Sequence, residues 1–305
     1  MTTATVALKK VKVSMMNAIH DLPLLVARDE GFFRDEGLDA EIIKTPGSGQ
    51  RDSDHQALRP NVFDRTMEAI YDQGQCDNFR MCEWGVMKRV ADGNQSGHRP
   101  TKIVAVGSAM SSFAIVVDPT AGIYEPEQLK DRPIAVSPFN GSHFTTLKLL
   151  EGFLKREQIK TTFAGTMKER LDALARGEVA AVSLMEPWIS VAEKRGLRVV
   201  IESHSTRSEA ASDQLDGPTL AKMFRAEAHA AEAIDRHPER YAHYLVEEAG
   251  GLLEPGELKL SRLLNAPPAP YTRERFDHTY QWTLSWGLVS AGATYDNTVD
   301  NRAWQ

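Results

Sequence analysis

Cysteine is almost absent from this chain: two residues in 305, Cys76 and Cys82. Their C-x5-C spacing matches neither a redox C-x-x-C pair nor a paired zinc-ligand spacing, so both are expected to be ordinary reduced thiols. No apolar run approaches the ~18–20 residues that a bilayer-spanning helix needs, and no transmembrane segment is expected. Basic residues are outnumbered, 36 Lys and Arg against 42 Asp and Glu for a net charge of −6, which argues against a nucleic-acid partner. The first residues, MTTATVALKK, lack the charged start, apolar stretch and small-residue cleavage site of a secretory leader. As given, the chain therefore reads as cytoplasmic, and as periplasmic or cell-surface if a leader has been removed. There is no phosphate-binding glycine loop, no G-x-S-x-G elbow and no metal-ligand spacing, so neither a cofactor nor a metal is expected.

What remains is the composition of an ordinary globular protein, 42% hydrophobic and 26% charged. Its length fits one large α/β unit or two lobes of about 100–200 residues each. Val11 to Ser14 alternates like a strand, Pro23 to Glu30 reads as a helix closed by Gly31, and Leu38 to Ile43 resumes the strand pattern. Strand, helix, strand is the unit of a parallel sheet. Thr45 to Pro60 is polar and broken by glycine and proline, a long loop in which His55 reads as a flexible surface histidine, with a lid over the cleft as the alternative. Asp64 to Tyr71 and Val86 to Ala91 read as short helices. Ile103 to Val106 and Phe113 to Val117 read as two strands.

A second α/β series follows. Pro133 to Val136 is a strand, Ser137 to Ser142 a polar turn, and Phe144, Leu147, Leu150 and Leu154 mark one face of a helix. Thr166 and Glu169 match a capping box ahead of a helix ended by Gly177. Val179 to Leu184 is a strand, Trp188 to Arg195 a helix, and Arg198 to Ile201 another strand. Glu202 to Asp216 reads as a polar stretch, and the remainder as almost wholly helical. Pro218 and Pro238 stand at first turns, and Gly287 closes a helix carrying Phe276, Tyr280 and Leu284.

The segment LDALARGEVAAVSLMEPW, Leu171 to Trp188, resembles the sulfonate-, taurine- and nitrate-binding proteins of ABC importers, a group with the thiamine-pyrimidine-precursor proteins among its relatives. Ala27 to Leu38 (ARDEGFFRDEGL), Leu129 to Val136 (LKDRPIAV) and His237 to Arg240 (HPER) strengthen the resemblance, in the expected order from end to end. It implies an α/β, two-lobed fold of the type II periplasmic-binding kind, with mixed or parallel sheets flanked by helices and a ligand cleft between the lobes. The implied division is 1–112 and 203–305 for the first lobe and 113–202 for the second. The implied function is binding of a small anionic organic molecule, a carboxylate, sulfonate or heteroaromatic, with an importer permease as partner if the protein is exported.

Ligands of such folds sit on loops at strand ends. Asn140, Gly141, Ser142 and His143 are the leading candidates, because hydroxyls and a glycine precede a helix whose first N–H groups lack internal partners. The alternative is an ordinary capped turn. Asn17 and His20, with Asp21, occupy the first strand-to-helix loop, where helix capping is the competing role. Arg80, Glu83 and Trp84 offer a fork, a base and an aromatic wall, or else a solvated pair on a surface helix. Ser111 and Ser112 lie at the first lobe crossing. Glu186 flanks Pro187 at a strand end, and Trp188 reads either as cleft or as core.

The competing function is a cytoplasmic lyase on the same fold, decarboxylase-like and acting on a small aromatic or heterocyclic acid. His20, Glu83, His143 or Glu186 would then move the proton. The thiamine-pyrimidine synthase pattern requires a lysine and a histidine where Met81 and Gly85 stand, plus a cysteine-rich motif. The aromatic desulfinase pattern needs a cysteine between Met15 and Asp21. Both activities are disfavoured, and a weaker resemblance of residues 60–90 to dihydroxyphthalate decarboxylases leaves decarboxylation as the enzyme alternative.

Overall fold

A computed structural model describes residues 7–44, 67–96 and 98–305. The expected loop from Thr45 to Pro60, with His55, lies outside the described residues. Strand β1 (Lys9–Met15) buries Val11 and Val13 while Lys10 and Lys12 face out, the period-2 pattern of a half-buried strand. Helix α1 (Ala18–Asp29) starts earlier than the apolar run suggests. Asn17, extended at φ −160°, caps it by accepting the His20 N–H at 3.1 Å, and Pro23 follows a kink at Asp21. Gly31 then takes φ 86° ahead of the short α2 (Phe32–Asp35), a left-handed conformation costly to any residue with a Cβ. Strand β2 (Leu38–Lys44) returns parallel to β1, with Val11 opposite Ala40.

Helix α3 (Met67–Asp72) leads to β3 (Asn78–Cys82), which places Arg80 inside a strand, followed by α4 (Glu83–Ser96). The two strands expected between Ile103 and Val117 are one, β4 (Lys102–Val117). The second series is β5 (Pro133–Val136), α5 (Gly141–Leu150), β6 (Lys160–Phe163), α6 (Met167–Ala175), β7 (Ala181–Met185) and α7 (Trp188–Lys194). The Thr166–Glu169 capping box forms as expected. Strand β8 (Arg198–Ala211) overturns a second expectation. The polar stretch after Ile201 stays in the sheet for ten more residues, paired to β4 along its whole length.

Helix α8 (Gly217–Arg236), capped by Asp216, opens the C-terminal part, followed by α9 (Pro238–Tyr241) and α10 (His243–Glu248). A two-residue strand, β9 (Leu264–Asn265), then pairs with β4 at Met110 and Ala109. Helices α11 (Arg273–Ser285) and α12 (Tyr295–Thr298) complete the chain. No helix among the described residues is long and apolar enough to cross a membrane.

The sheet order is β2-β1-β3-β8-β4-β7-β5-β6. Parallel pairs lie at both ends, and the antiparallel pair β4 and β8 runs through the middle. These two long strands join the lobes. One lobe packs α1 and α8 over β1 through Leu22, Leu24, Leu220 and Phe224; the other packs α5 on β5 through Ile134, Val136, Phe144 and Leu147. Each such side chain contributes about 1.5–3 kcal/mol on burial. Midway along the β4–β8 pair the register slips. Val106 faces Ser208 and Met110 faces Thr206, so Gly107, Ser108 and Ala109 together stand opposite Arg207, a bulge that bends the ladder. Cys76 and Cys82 are free and buried.

Candidate functional site

The turn between β5 and α5 is held by its own side chains. The Ser137 N–H donates to Ser142 Oγ at 2.9 Å, and the Phe139 N–H donates to His143 Nδ1 at 3.2 Å. Phe139 sits at φ 54°, a left-handed strain of about 1–3 kcal/mol that a rigid surround must sustain. Asn140 caps α5, its Oδ1 accepting the Gly141 N–H at 2.5 Å. The Ser142 N–H, in the helix first turn, has no intrahelical acceptor. Because His143 accepts at Nδ1, its neutral ring carries the proton on Nε2, and burial holds its pKa down at about 4.

Arg207 lies against this helix end. Its guanidinium is buried, with 2% of the residue exposed, and its Cζ is 5.5 Å from the Phe113 ring centroid. A Cβ on Gly141 would stand 3.1 Å from Phe113 and 3.2 Å from Arg207 Nη1, so the absence of a side chain lets the helix approach the charge. Arg207 Nη2 donates to His20 Nε2 and lies 3.7 Å from Met185 Sδ, while Nε has no partner. No carboxylate among the described residues pairs with it. Burial lowers its pKa to about 10, which leaves it a cation at neutral pH. A buried charge without a counter-ion costs several kcal/mol. Ser137 Oγ and Ser111 Oγ, the latter on the Phe113 face of β4, are also buried without partners. The Nε–H of a guanidinium beside the α5 N-terminus and the hydroxyls of Ser137 and Ser111 are therefore without partners.

The fold is that of the periplasmic binding proteins. The periplasmic nitrate-binding protein NrtA from Synechocystis PCC 6803 superposes with a TM-score of 0.73 at 12% identity, over 97% of this chain and 87% of that one. The periplasmic aliphatic sulphonate binding protein SsuA from Escherichia coli gives 0.72 at 16% identity, over 96% and 92%. The alkanesulfonate-binding protein SsuA from Xanthomonas axonopodis pv. citri, bound to MOPS, gives 0.70 at 14% identity, over 92% and 94%. No protein-family profile and no curated protein sequence matches the chain.

Within this periplasmic-binding fold the helix on the opposite lobe is differently occupied. The first N–H groups of α1 are taken by the protein's own acids: Met16 and Asn17 donate to Asp21 Oδ2 at 2.7 and 3.2 Å, and Ala18 donates to Glu248 Oε2 at 2.6 Å. Asn17 acts as a cap. His20 instead faces Arg207, with Nδ1 3.2 Å from Met16 Sδ, and burial, aided by the Arg207 charge, keeps it neutral.

Arg80 has no solvated partner and lies on no surface helix. Its Nε is 2.7 Å from Glu209, its Nη2 2.5 Å from Glu227 and its Nη1 3.5 Å from Asp21, all four residues being buried. Its fork is thus spent on the protein's own carboxylates. Glu83 accepts from Tyr271 Oη at 2.5 Å and from Arg275 Nε at 2.8 Å. Trp84 backs α5, stacked 5.6 Å from Phe144, with Nε1 unpartnered.

Ser112 points away from Ser111 and donates to the Arg262 carbonyl at 3.2 Å. Glu186 is buried between Ser190 and Arg262, at 3.0 and 3.1 Å, and burial raises its pKa. Arg262 also holds Glu193 and Glu202. Trp188 starts α7, partly buried against the core.

The structure thus brings His20 and Gly141 against Arg207, with Asn140, Ser142 and His143 on the same turn as Gly141 and Ser111 two residues from Phe113 on β4, and it leaves Ser112, Glu83, Glu186 and Trp188 on other partners. Sequence reasoning missed Arg207 itself. Its signal was the run from Leu197 to Asp216, which contains no glycine and no proline and so offers no break after the strand at Ile201. No group of three or more His, Cys, Asp or Glu among the described residues is arranged to hold a metal.

Proposed function

We propose that the protein binds a small organic anion, a carboxylate or sulfonate, in the interlobe cleft, with Arg207 as its counter-charge. The observation that carries this is the buried Arg207 guanidinium, which has no acid partner and abuts the open end of α5. An anion there would accept from Arg207 Nε, the Ser142 N–H, and the hydroxyls of Ser137 and Ser111, with His143 Nε2–H as a further donor on the same turn. Every one of these is a donor, which suits an oxyanion that brings only acceptors. The similar structures, described as nitrate-, aliphatic sulphonate- and alkanesulfonate-binding proteins, support the same chemistry.

Division into lobes follows from the same reading. The boundaries at 112/113 and 202/203 fall inside β4 and β8, and we place the pivot at the Gly107–Ala109 bulge and Arg207. An importer permease is the partner that goes with this role. The cytoplasmic location expected from the first residues finds no support among the similar structures, two of which are described as periplasmic.

Lyase chemistry is less well supported. Of its four candidate proton carriers, Glu83 and Glu186 are each locked in an ion pair with arginine and His20 is held against Arg207, which leaves only His143 with an uncommitted nitrogen. Titration calorimetry with ethanesulfonate, benzoate, nitrate and, as a cationic control, ethylammonium tests the proposal. Saturable binding of at least one anion, lost in Arg207→Met, is expected. Binding of the cation, or anion binding indifferent to Arg207→Met, would overturn it. Incubation of the bound anion with protein should return it unchanged.

A further inference from the structure

We propose that anion binding at Arg207 is linked to the uptake of one proton, held on the buried carboxyl of Glu209. This rests on the anion reading above. One buried arginine, Arg80, stands among three buried carboxylates, Asp21, Glu209 and Glu227, and a second, Arg207, lies two residues from Glu209 on β8 without pairing to any of them. With all three acids ionised the cluster already carries one excess negative charge before any ligand arrives. An incoming anion adds a second, and in a buried site that excess is relieved most directly by protonating one acid.

The hydrogen bonding singles out which acid. Asp21 Oδ2 accepts two backbone N–H groups. Glu227 accepts from Arg80 Nη2 at 2.5 Å and from Ser108 Oγ at 3.1 Å. Each of these two acids thus has two donors of its own, although burial raises the Asp21 pKa. Glu209 lies 2.7 Å from Arg80 Nε, but neither of its oxygens accepts a well-formed hydrogen bond. Beside it, Asn78 Oδ1 is a buried acceptor with no donor. A protonated Glu209 would supply that donor.

The groups facing Glu209 are Arg80 and Asn78 from β3, Asp21 from α1, Glu227 from α8, Gly107 and Ser108 from β4, and Arg207 two residues away on its own strand. Burial raises the Glu209 pKa and the Glu227 and Asp21 charges raise it further, against the pull of Arg80 and of the Asn78 amide. A Cβ on Gly107 would stand 2.8 Å from Glu209 Oε1 and 3.6 Å from Arg207 Cβ. The proton site and the anion site thus share the bulge between the lobes.

The sign follows from charge. Burial pushes the Glu209 pKa of the free protein up to about 8, so below that pH the proton is already in place and affinity is flat, and above it uptake on binding lowers affinity as pH rises, by about tenfold per pH unit in the limit of one linked proton. The test has two arms. Calorimetry with ethanesulfonate and benzoate, repeated in buffers of different ionisation enthalpy, counts protons taken up. Infrared difference spectra of the wild-type protein, with and without the same probes, report the carbonyl stretch of a protonated carboxyl, assigned by its loss in Glu209→Gln.

At pH 9, above the free-protein Glu209 pKa of about 8, uptake approaching one proton, a growing carboxyl band on binding, and loss of both in Glu209→Gln are expected. Binding without proton uptake, or uptake that persists in Glu209→Gln, would overturn the linkage while leaving the anion reading intact. If Glu209→Gln does not fold, the wild-type band decides alone, and its failure to grow on binding overturns the proposal. If neither probe binds, the anion reading fails and the linkage fails with it.

Discussion

Arg207 Nη2 donates to His20 Nε2, so this buried guanidinium rests on a neutral imidazole rather than on an acid. A carboxylate in the place of His20 would neutralise the arginine within the protein. The imidazole orients the guanidinium and leaves its charge for a ligand.

Stability and binding should therefore move in opposite directions at this position. Arg207→Met removes an unpaired buried charge and keeps most of the volume, so urea unfolding should show it equal in stability to wild type or more stable by about 1–4 kcal/mol. Calorimetry on the same variant should show affinity for the anion reduced at least a hundredfold. A strongly destabilised Arg207→Met would mean that the charge is satisfied inside the protein.

Arg80 should behave in the opposite way. Arg80→Met strands Asp21, Glu209 and Glu227 as buried carboxylates without their cation, a loss of about 3–5 kcal/mol. Denaturation at pH 7.5 should show the full loss, and at pH 5 part of it should be recovered as carboxyls take up protons.

Gly141→Ala tests how closely α5 must approach. The added Cβ would press on the Phe113 ring and on Arg207 Nη1. Anion affinity should fall about tenfold while the melting temperature changes by no more than a few degrees, because a helix-terminal alanine is otherwise well tolerated.

Glu248 gives a pH signature of its own. Burial lifts its pKa to about 7 while the Ala18 N–H pulls the other way, against about 4.3 in an unfolded chain. The folded state thus binds this proton more tightly, so the associated stabilisation is present below about pH 4 and is lost as pH rises toward 7. The loss should be on the order of 1–2 kcal/mol after allowance for partial exposure. Glu248→Gln, which can still accept from Ala18, should flatten that part of the stability profile measured by urea unfolding.

The thiols should be silent. Burial pushes Cys76 and Cys82 each up to about 11, so iodoacetamide at pH 7.5 should label neither until the protein is unfolded. Labelling counted by mass spectrometry before and after addition of urea checks this.

Much of the scaffold was legible because its signals are local. Asparagine, threonine and aspartate caps, glycines at left-handed helix ends, and alternating valines each act over a few residues, and Thr166 to Glu169 formed the box its spacing implied. The α5 turn was legible for the same reason. The centre of the site was not. Polarity between Glu202 and Ala211 suggests a surface loop, whereas these serines, Arg207 and Glu209 form an interior strand whose polar groups answer one another and the cleft. Arg80 shows the converse difficulty. Its chemistry was visible, but its partners Glu209 and Glu227 lie more than a hundred residues away in sequence and nothing local points to them.

The two strands that both lobes share have a consequence for how such a protein can change over time. On the proposed division neither lobe is a separable module, since cutting at either crossing would strip the sheet of half its central pair. The smallest piece that could pass intact into a relative is residues 102–211, from the start of β4 to the end of β8. It would carry Arg207, Ser111, Ser137, the α5 end and Glu209 together, so the preference for an anion would travel as one inheritance. The recipient would have to supply a His20 to steady it and an Arg80 to balance its acids.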